Sequence, residues 1–295
     1  MANAISLVSK FLAIVDKVYK QESKTAILDP LVQTPDYLNA NEVRVMKLST
    51  VGLGNYSRAS GYPAGDITAT WETMQLAAER GRSFTVDRMD NEETLGLVVG
   101  ALIRDWMRVH VGPEIDAYRF AKMAAGAGNY ASDATLSTAA GVLAAIDAGN
   151  LALSEDEVPE EGRKLFITHT LYELLKGAMT RSWGNEANLN RAVKFLESTE
   201  IIPVPQARFY TAITLNAGAT ADAGGFVKSG SGKDLNFLIV HPEAVLQPIK
   251  LNQVKYFAPE VNQISDGHMW QYRLYHDAFV YENKVNGIYR HNKAS

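Results

Sequence analysis

A chain of 295 residues, 46% hydrophobic and 21% charged, has the composition of an ordinary soluble folded protein and the length for one large or two modest domains. Its 29 basic and 33 acidic residues leave a formal charge of -4 spread along the chain, which excludes the concentrated basic footprint of a sequence-reading nucleic-acid binder. With no cysteine, disulfides, thiolate zinc sites, iron–sulfur clusters and cysteine nucleophiles are excluded too, and no run reaches the roughly 18 apolar residues of a membrane-spanning helix, nor is a signal peptide evident.

Ile5, Leu7, Val8, Phe11, Leu12, Ile14, Val15, Val18 and Tyr19 recur at three- and four-residue steps and predict an amphipathic helix, either packed on its own domain or docked on a neighbouring subunit. Residues 21–41, polar and holding Pro30 and Pro35, are expected to be extended. Residues 43–48 alternate as a strand. Gly52, Gly54, Gly61, Pro63 and Gly65 then punctuate a tip, and a second strand runs from Asp66 through Ile67, Thr68, Thr70 and Trp71 toward Met74 and Leu76. A third piece, 82–86, leads out. A two-stranded hairpin is marginal alone in water because it cannot bury both faces, so this one needs a surface to lie on.

Asp90 is expected to cap a helix with Glu92 and Glu93 in its first turn and with Leu95, Val98, Val99, Leu102, Ile103, Trp106 and Met107 as its apolar stripe. Gly112 and Pro113 mark a break before a second helical piece over 114–125, the two forming a long bent rod. Residues 136–148 read as a small-residue helix closed by Gly149. The acidic turn 154–159, a strand over 164–168 and a helix through Leu171, Leu174 and Leu175 follow. A helix over 187–197 and strands over 201–204 and 235–240 complete a mixed α+β central region, with 216–234 as a surface loop or short hairpin tip. Residues 270–291 are strand-rich, with Asn286-Gly287 as a turn.

No chemical motif stands out. Gly52-x-Gly54 lacks the third glycine and the following helix of a dinucleotide site, and there is no P-loop, nucleophile elbow or zinc-binding His-Glu-x-x-His helix. His276 beside Asp277 is the nearest approach to a catalytic dyad, but adjacent strand residues point to opposite faces. His110, His169, His241, His268 and His291 are scattered singly, without the spacing of a helical metal pair. Arg80, Arg82, Asp87, Arg88 and Asp90 crowd the junction of hairpin and long helix; alone they read as a solvated surface, and at an interface they would set register. No catalytic, cofactor-binding or metal residue is predicted, and no cofactor.

The order of these parts carries a resemblance. Trp71-Glu72 through Arg80-Gly81-Arg82-Ser83-Phe84 to Asp87-Arg88-Met89-Asp90, then Pro113-Glu114-Ile115-Asp116-Ala117-Tyr118-Arg119, belong to it. So do Val158-Pro159-Glu160-Glu161-Gly162-Arg163, the run from Asp234-Leu235-Asn236 to His241-Pro242, and Tyr272-Arg273 through Asn286-Gly287-Ile288-Tyr289. Over nearly its whole length the chain resembles the major capsid proteins of tailed bacteriophages with the Hong Kong 97-type fold.

That resemblance implies a non-enzymatic coat protein of an icosahedral head that encloses double-stranded DNA. It implies an N-terminal arm (1–42), an extended loop (43–88), a peripheral domain with the spine helix (89–153), an axial domain (154–240) and closing peripheral strands (241–295). The partners it implies are further copies in hexamers and pentamers, a portal and a scaffolding protein, decoration proteins in some heads, and packaged DNA through weak non-specific contact, with no membrane. The scaffold is expected as a separate protein because the arm starts almost at Met1. The location implied is the virion, after synthesis in the host cytoplasm. Lys47 and Asn55 are of the right type for the loop crosslink some relatives form, but neither matches that motif and no crosslink is predicted. An encapsulin-type compartment shell shares the fold, and a hydrolase or carbohydrate-binding protein is the rival from another class.

Overall fold

A computed structural model describes residues 23–31, 42–93, 103–178, 194–196, 198–219 and 223–294. The expected helix over 5–19 and the stripe from Leu95 to Leu102 lie outside them. A 3-10 helix, Thr25–Leu31, comes first, in a stretch expected to be extended; the coil carries Leu28 into the core with Ile27 beside it. Then come β1 (Glu42–Thr50), β2 (Ile67–Gln75), β3 (Ala78–Asp87), α1 (Arg88–Glu93), a π-turn (Met107–Val111) and α2 (Gly112–Ala125). β4 (Asn129–Ala134), α3 (Ala139–Glu155), β5 (Lys164–Thr168), α4 (His169–Ala178), β6 (Phe195–Leu196) and β7 (Thr199–Val204) follow. The remainder is β8 (Ile213–Leu215), β9 (Phe226–Lys228), β10 (Leu235–Val240), β11 (Val245–Leu246), β12 (Ile249–Phe257), β13 (Gly267–His276), β14 (Phe279–Val280) and β15 (Ile288–Lys293).

The largest sheet has the order β4-β15-β10-β5-β7-β6, parallel at β4/β15 and β5/β7 and antiparallel elsewhere. Both of its faces are covered, so its central strand reads Leu-Asn-Phe-Leu-Ile-Val and is buried throughout. Leu235, Leu238 and Val240 face α2 through Phe120 and Met123; Phe237 and Ile239 face α3 and α4 through Ile146, Leu153, Leu171 and Leu175. A second sheet, β12-β13-β3, is antiparallel and lies against the spine, where Trp106 meets Phe84 and Tyr272 edge-on at 5.2 and 5.3 Å.

Four local expectations change. The cap of α1 is Asp87, whose carboxylate accepts the Met89 N–H at 2.9 Å, rather than Asp90, which falls inside the first turn. Gly112 and Pro113 do not break the rod. The Gly112 N–H donates to the Met107 carbonyl in a π-turn, and that widening accommodates a proline without a donor at the start of α2.

Gly149 does not close α3, which runs on to Glu155. A Cβ there would sit 2.8 Å from the Tyr289 ring and 2.9 Å from Ile239, so this glycine is where helix and sheet touch. The helix ends six residues later in a Schellman motif: Glu157, at φ 58°, donates to the Ser154 carbonyl, Val158 donates to that of Leu153, and the two apolar side chains pack together. Of the helix expected over 187–197 only 194–196 are described, and Phe195–Leu196 is a strand paired with β7.

Candidate assembly surface

β1 and β2 form one ladder from Glu42↔Gln75 to Thr50↔Ile67, as the alternation predicts. Because successive strand side chains point to opposite faces, Val43, Val45, Lys47, Glu72 and Met74 share one face and Met46, Leu48, Ile67 and Trp71 the other. At the root, Val43, Met74 and Leu76 are buried with Leu246, so the hairpin has an anchor. Further out the second face is bare: Met46, Leu48, Ile67 and Trp71 are 56%, 58%, 73% and 65% exposed, with Met46 directly opposite Trp71. Side chains of this kind contribute about 1.5–3 kcal/mol each when fully buried.

Beyond the ladder, Gly52 and Gly54 belong to the tip. Ser57 and Gly61 exchange backbone hydrogen bonds, and Gly61 takes φ 81°, which favours glycine. Tyr56 and Tyr62 close over the turn with ring centroids 5.0 Å apart, and Leu53 is fully exposed.

The tilt of the hairpin is set from its other face. Lys47 is ion-paired with Glu282, and the Glu282 N–H donates to Glu72 at 3.4 Å. Burial and the Glu282 charge raise the Glu72 carboxyl. Asn55 lies in the exposed tip, away from this pair. Asp277 fixes the root. Its buried carboxylate accepts the N–H of Ala77, between β2 and β3, at 2.8 Å, the N–H of Ala278 at 2.8 Å and the Tyr118 hydroxyl of the spine at 2.9 Å.

The charges at the hairpin–spine junction are only partly a solvated surface. Arg80 pairs with Glu114 at 2.6 Å and donates to the carbonyls of Asn216 and Gly225 at 2.8 and 3.2 Å. Arg82 adds Gly218 and Ala223 at 3.4 Å. Together they hold the loop that joins β8 to β9, so the stretch after Asn216 is a hairpin tip fastened to its own chain.

Asp116 is fully buried on the spine and accepts hydrogen bonds from Ser23 Oγ at 2.6 Å, Thr25 Oγ1 and the Lys24 N–H at 2.8 Å and the Thr25 N–H at 3.1 Å, beside an ion pair with Arg208 at 2.8 Å. It joins the segment before β1, the spine and the turn after β7. Sequence reasoning missed this role, although a signal was present: Asp116 shares an apolar stripe with Phe120 and Met123 at helical spacing.

The histidines occupy separate settings. His268 bonds Tyr256 at 2.7 Å, His291 bonds Asn236 at 3.1 Å, and His110 lies by Trp106. Among the described residues no three His, Asp or Glu side chains are grouped to hold a metal. His276 is buried and stacks edge-on against Tyr118 at 5.2 Å, while the neighbouring Asp277 carboxylate is engaged by Ala77, Ala278 and Tyr118.

Burial, with the Arg119 charge, pulls the imidazole down from 6.5 to about 4, against the opposing pull of Asp277. Between those values the unfolded chain binds a proton that the folded chain refuses. Stability from this group is therefore complete above about pH 6.5 and falls as the pH drops toward 4, by up to about 3 kcal/mol. His276→Phe is expected to flatten that part of the profile, measured as urea midpoints between pH 7 and pH 4. An unchanged slope would remove His276 as the cause.

No family model and no curated protein matches the chain. Solved structures do. A structure from Mycobacterium phage Che8 superposes with a TM-score of 0.67 at 13% identity, over 99% of this chain and 96% of that one. The capsid structure of Cyanophage P-SCSP1u gives 0.67 at 12% identity, over 98% and 93%. The mature capsid of bacteriophage PhiM1 gives 0.69 at 12% identity, over 98% and 92%. The α+β fold of this chain is the fold of those phage structures, in keeping with the Hong Kong 97-type architecture expected.

Proposed function

We propose that the chain is a major capsid protein, a structural subunit without catalytic activity that assembles with its own copies into the icosahedral head of a tailed bacteriophage around double-stranded DNA. One observation carries the reading beyond fold: a ladder that continues well past its buried root and presents Met46, Leu48, Ile67 and Trp71 to solvent. A contiguous apolar face of this kind marks an interaction surface, and a neighbouring copy supplies the cover that an isolated hairpin lacks.

The chain then divides by role. Residues 1–42 are the arm and 43–88 the loop, whose β1–β2 ladder lies on an adjacent subunit while β3 pairs with β13 of its own chain. The spine with the β12-β13-β3 sheet forms the peripheral domain. The axial domain is centred on 154–240, and its sheet also takes in β4 and β15. The head places the protein in the virion after synthesis in the host cytoplasm. Hexamers and pentamers, a portal, a scaffolding protein and decoration proteins belong to this reading as partners. A formal charge of -4 suits a wall that contains DNA without gripping it.

Electron microscopy of the product co-expressed with its scaffold tests the proposal. Uniform closed shells are expected, and a monomer at every concentration by light scattering would refute it. Trp71→Ser is expected to raise the concentration needed for assembly about tenfold or more, with the subunit's urea midpoint unchanged. An unaltered threshold would move the contact off this face.

A further inference from the structure

The seam between the spine and the β12-β13-β3 sheet holds a set of buried polar atoms whose hydrogen bonds are unmade. Arg119 is 1% exposed; its Nη1 donates to Thr25 Oγ1 at 3.2 Å and meets Asp29 at 3.0 Å, while Nε and Nη2 make no hydrogen bond among the described residues. Those two N–H groups lie on the same edge of the guanidinium, the edge that engages a pair of oxygens at once.

Two further polar atoms on the same seam also lack a partner among the described residues: Gln247 Oε1, an acceptor, and His276 Nδ1, which accepts in the tautomer protonated at Nε2, on residues 6% and 2% exposed. Gln247 is held at the spine by its Nε2, 3.9 Å from Met123 Sδ, one turn after Arg119. His276 opposes Ile249 in the β12–β13 ladder, two residues on from Gln247, and is close enough for the Arg119 charge to act on it.

A buried donor or acceptor left unmade costs about 1–3 kcal/mol, and native proteins leave few of them. Met123, one turn after Arg119, meets Gln247, and Tyr118, beside Arg119, meets His276; two donors and two acceptors gathered on this seam, with no direct bond among the four, supply the two to four polar partners that a buried water requires. We propose that ordered water occupies this seam and bridges the Arg119 Nε–Nη2 edge to Gln247 Oε1 and to the neutral His276 Nδ1, so that the spine is joined to the sheet through a hydrated joint. An anion is disfavoured, because Asp116 and Asp29 already balance Arg208 and Arg119.

Water re-forms its bonds after small displacements, where a direct side-chain bond is stretched. On the coat-protein reading, this joint lets one sequence adopt slightly different spine angles at non-equivalent positions of a shell. The tests use the unassembled full-length subunit, so they succeed or fail independently of whether shells form.

A map at better than about 2 Å is expected to show peaks at hydrogen-bond distance, ~2.7–3.1 Å, from both Arg119 nitrogens. Direct bonding of that edge to a protein oxygen, or a peak that becomes anomalous on exchanging chloride for bromide, overturns the proposal. In a double-mutant cycle, Gln247→Met and His276→Phe are expected to be coupled, with the folding constant of the double variant about tenfold above the product of the single effects. Effects that multiply independently also overturn it. If His276→Phe alone fails to fold, His276→Gln replaces it in the cycle.

Discussion

Replacing Asp116 with alanine is expected to lower the stability of the unassembled subunit by about 3–5 kcal/mol, because it strands Arg208 as a buried charge. The same change removes the acceptor for both N–H groups and both hydroxyls of the segment around Ser23 and Thr25. Urea denaturation of the purified subunit measures the effect, and a loss below about 1 kcal/mol would mean that the cluster behaves as an exposed ion pair. A second variant separates the charge from the packing. Asp116→Leu with Arg208→Met removes both charges together and should recover part of the loss, since well-packed apolar replacements of buried pairs are often tolerated.

Replacing residues 51–66 by an Asn-Gly turn is expected to leave the subunit folded and to abolish normal shells. The β1–β2 ladder ends at Thr50↔Ile67, so the excision removes the tip without opening a strand pair. The buried root also remains, with Val43, Met74 and Leu76 on Leu246. Circular dichroism and the urea midpoint should match the parent, while electron microscopy shows no regular particles. If the subunit itself unfolds, the tip is part of a core and the proposed role of the hairpin fails. If shells form as before, the tip is dispensable and the contact rests on the ladder face alone.

Several strands and the hairpin were legible because their signals are local: β5 and β10 read as short apolar runs, and β1 and β2 as alternating strands on either side of a glycine-rich tip. Features decided by distant residues were not. Gly149 reads as a helix stop in isolation, and only the ring of Tyr289, far along the chain, makes it a contact point. Asp87 and Asp90 are equally good caps by type; the choice falls to Asp87 because β3 ends there. A glycine–proline pair signals a break, but a π-turn absorbs it when aromatic packing holds the rod on its sheet.

β12 was not anticipated because it is an edge strand whose side chains are mostly exposed, so its hydrophobic alternation is weak. At the candidate surface, the apolar face was readable as a strand pattern and its bareness was not, since exposure depends on what the rest of the chain leaves uncovered. Arg80 looked like solvated charge for the same reason: its partners Glu114, Asn216 and Gly225 are separated from it by up to 145 residues.

Asp277 gives the hairpin a mechanical property. One carboxylate holds both the connection between β2 and β3 and a hydroxyl on the spine, so root and spine turn as a single piece. The nine-residue strand β1 is a lever about 30 Å long, with its fulcrum at Val43 and Leu246. A push near Ile67, opposite Thr50 at the end of the ladder, therefore arrives at α2 as torque, and α2 rests directly on the six-stranded sheet. Whatever grips the far end of the hairpin has leverage over the subunit's largest core.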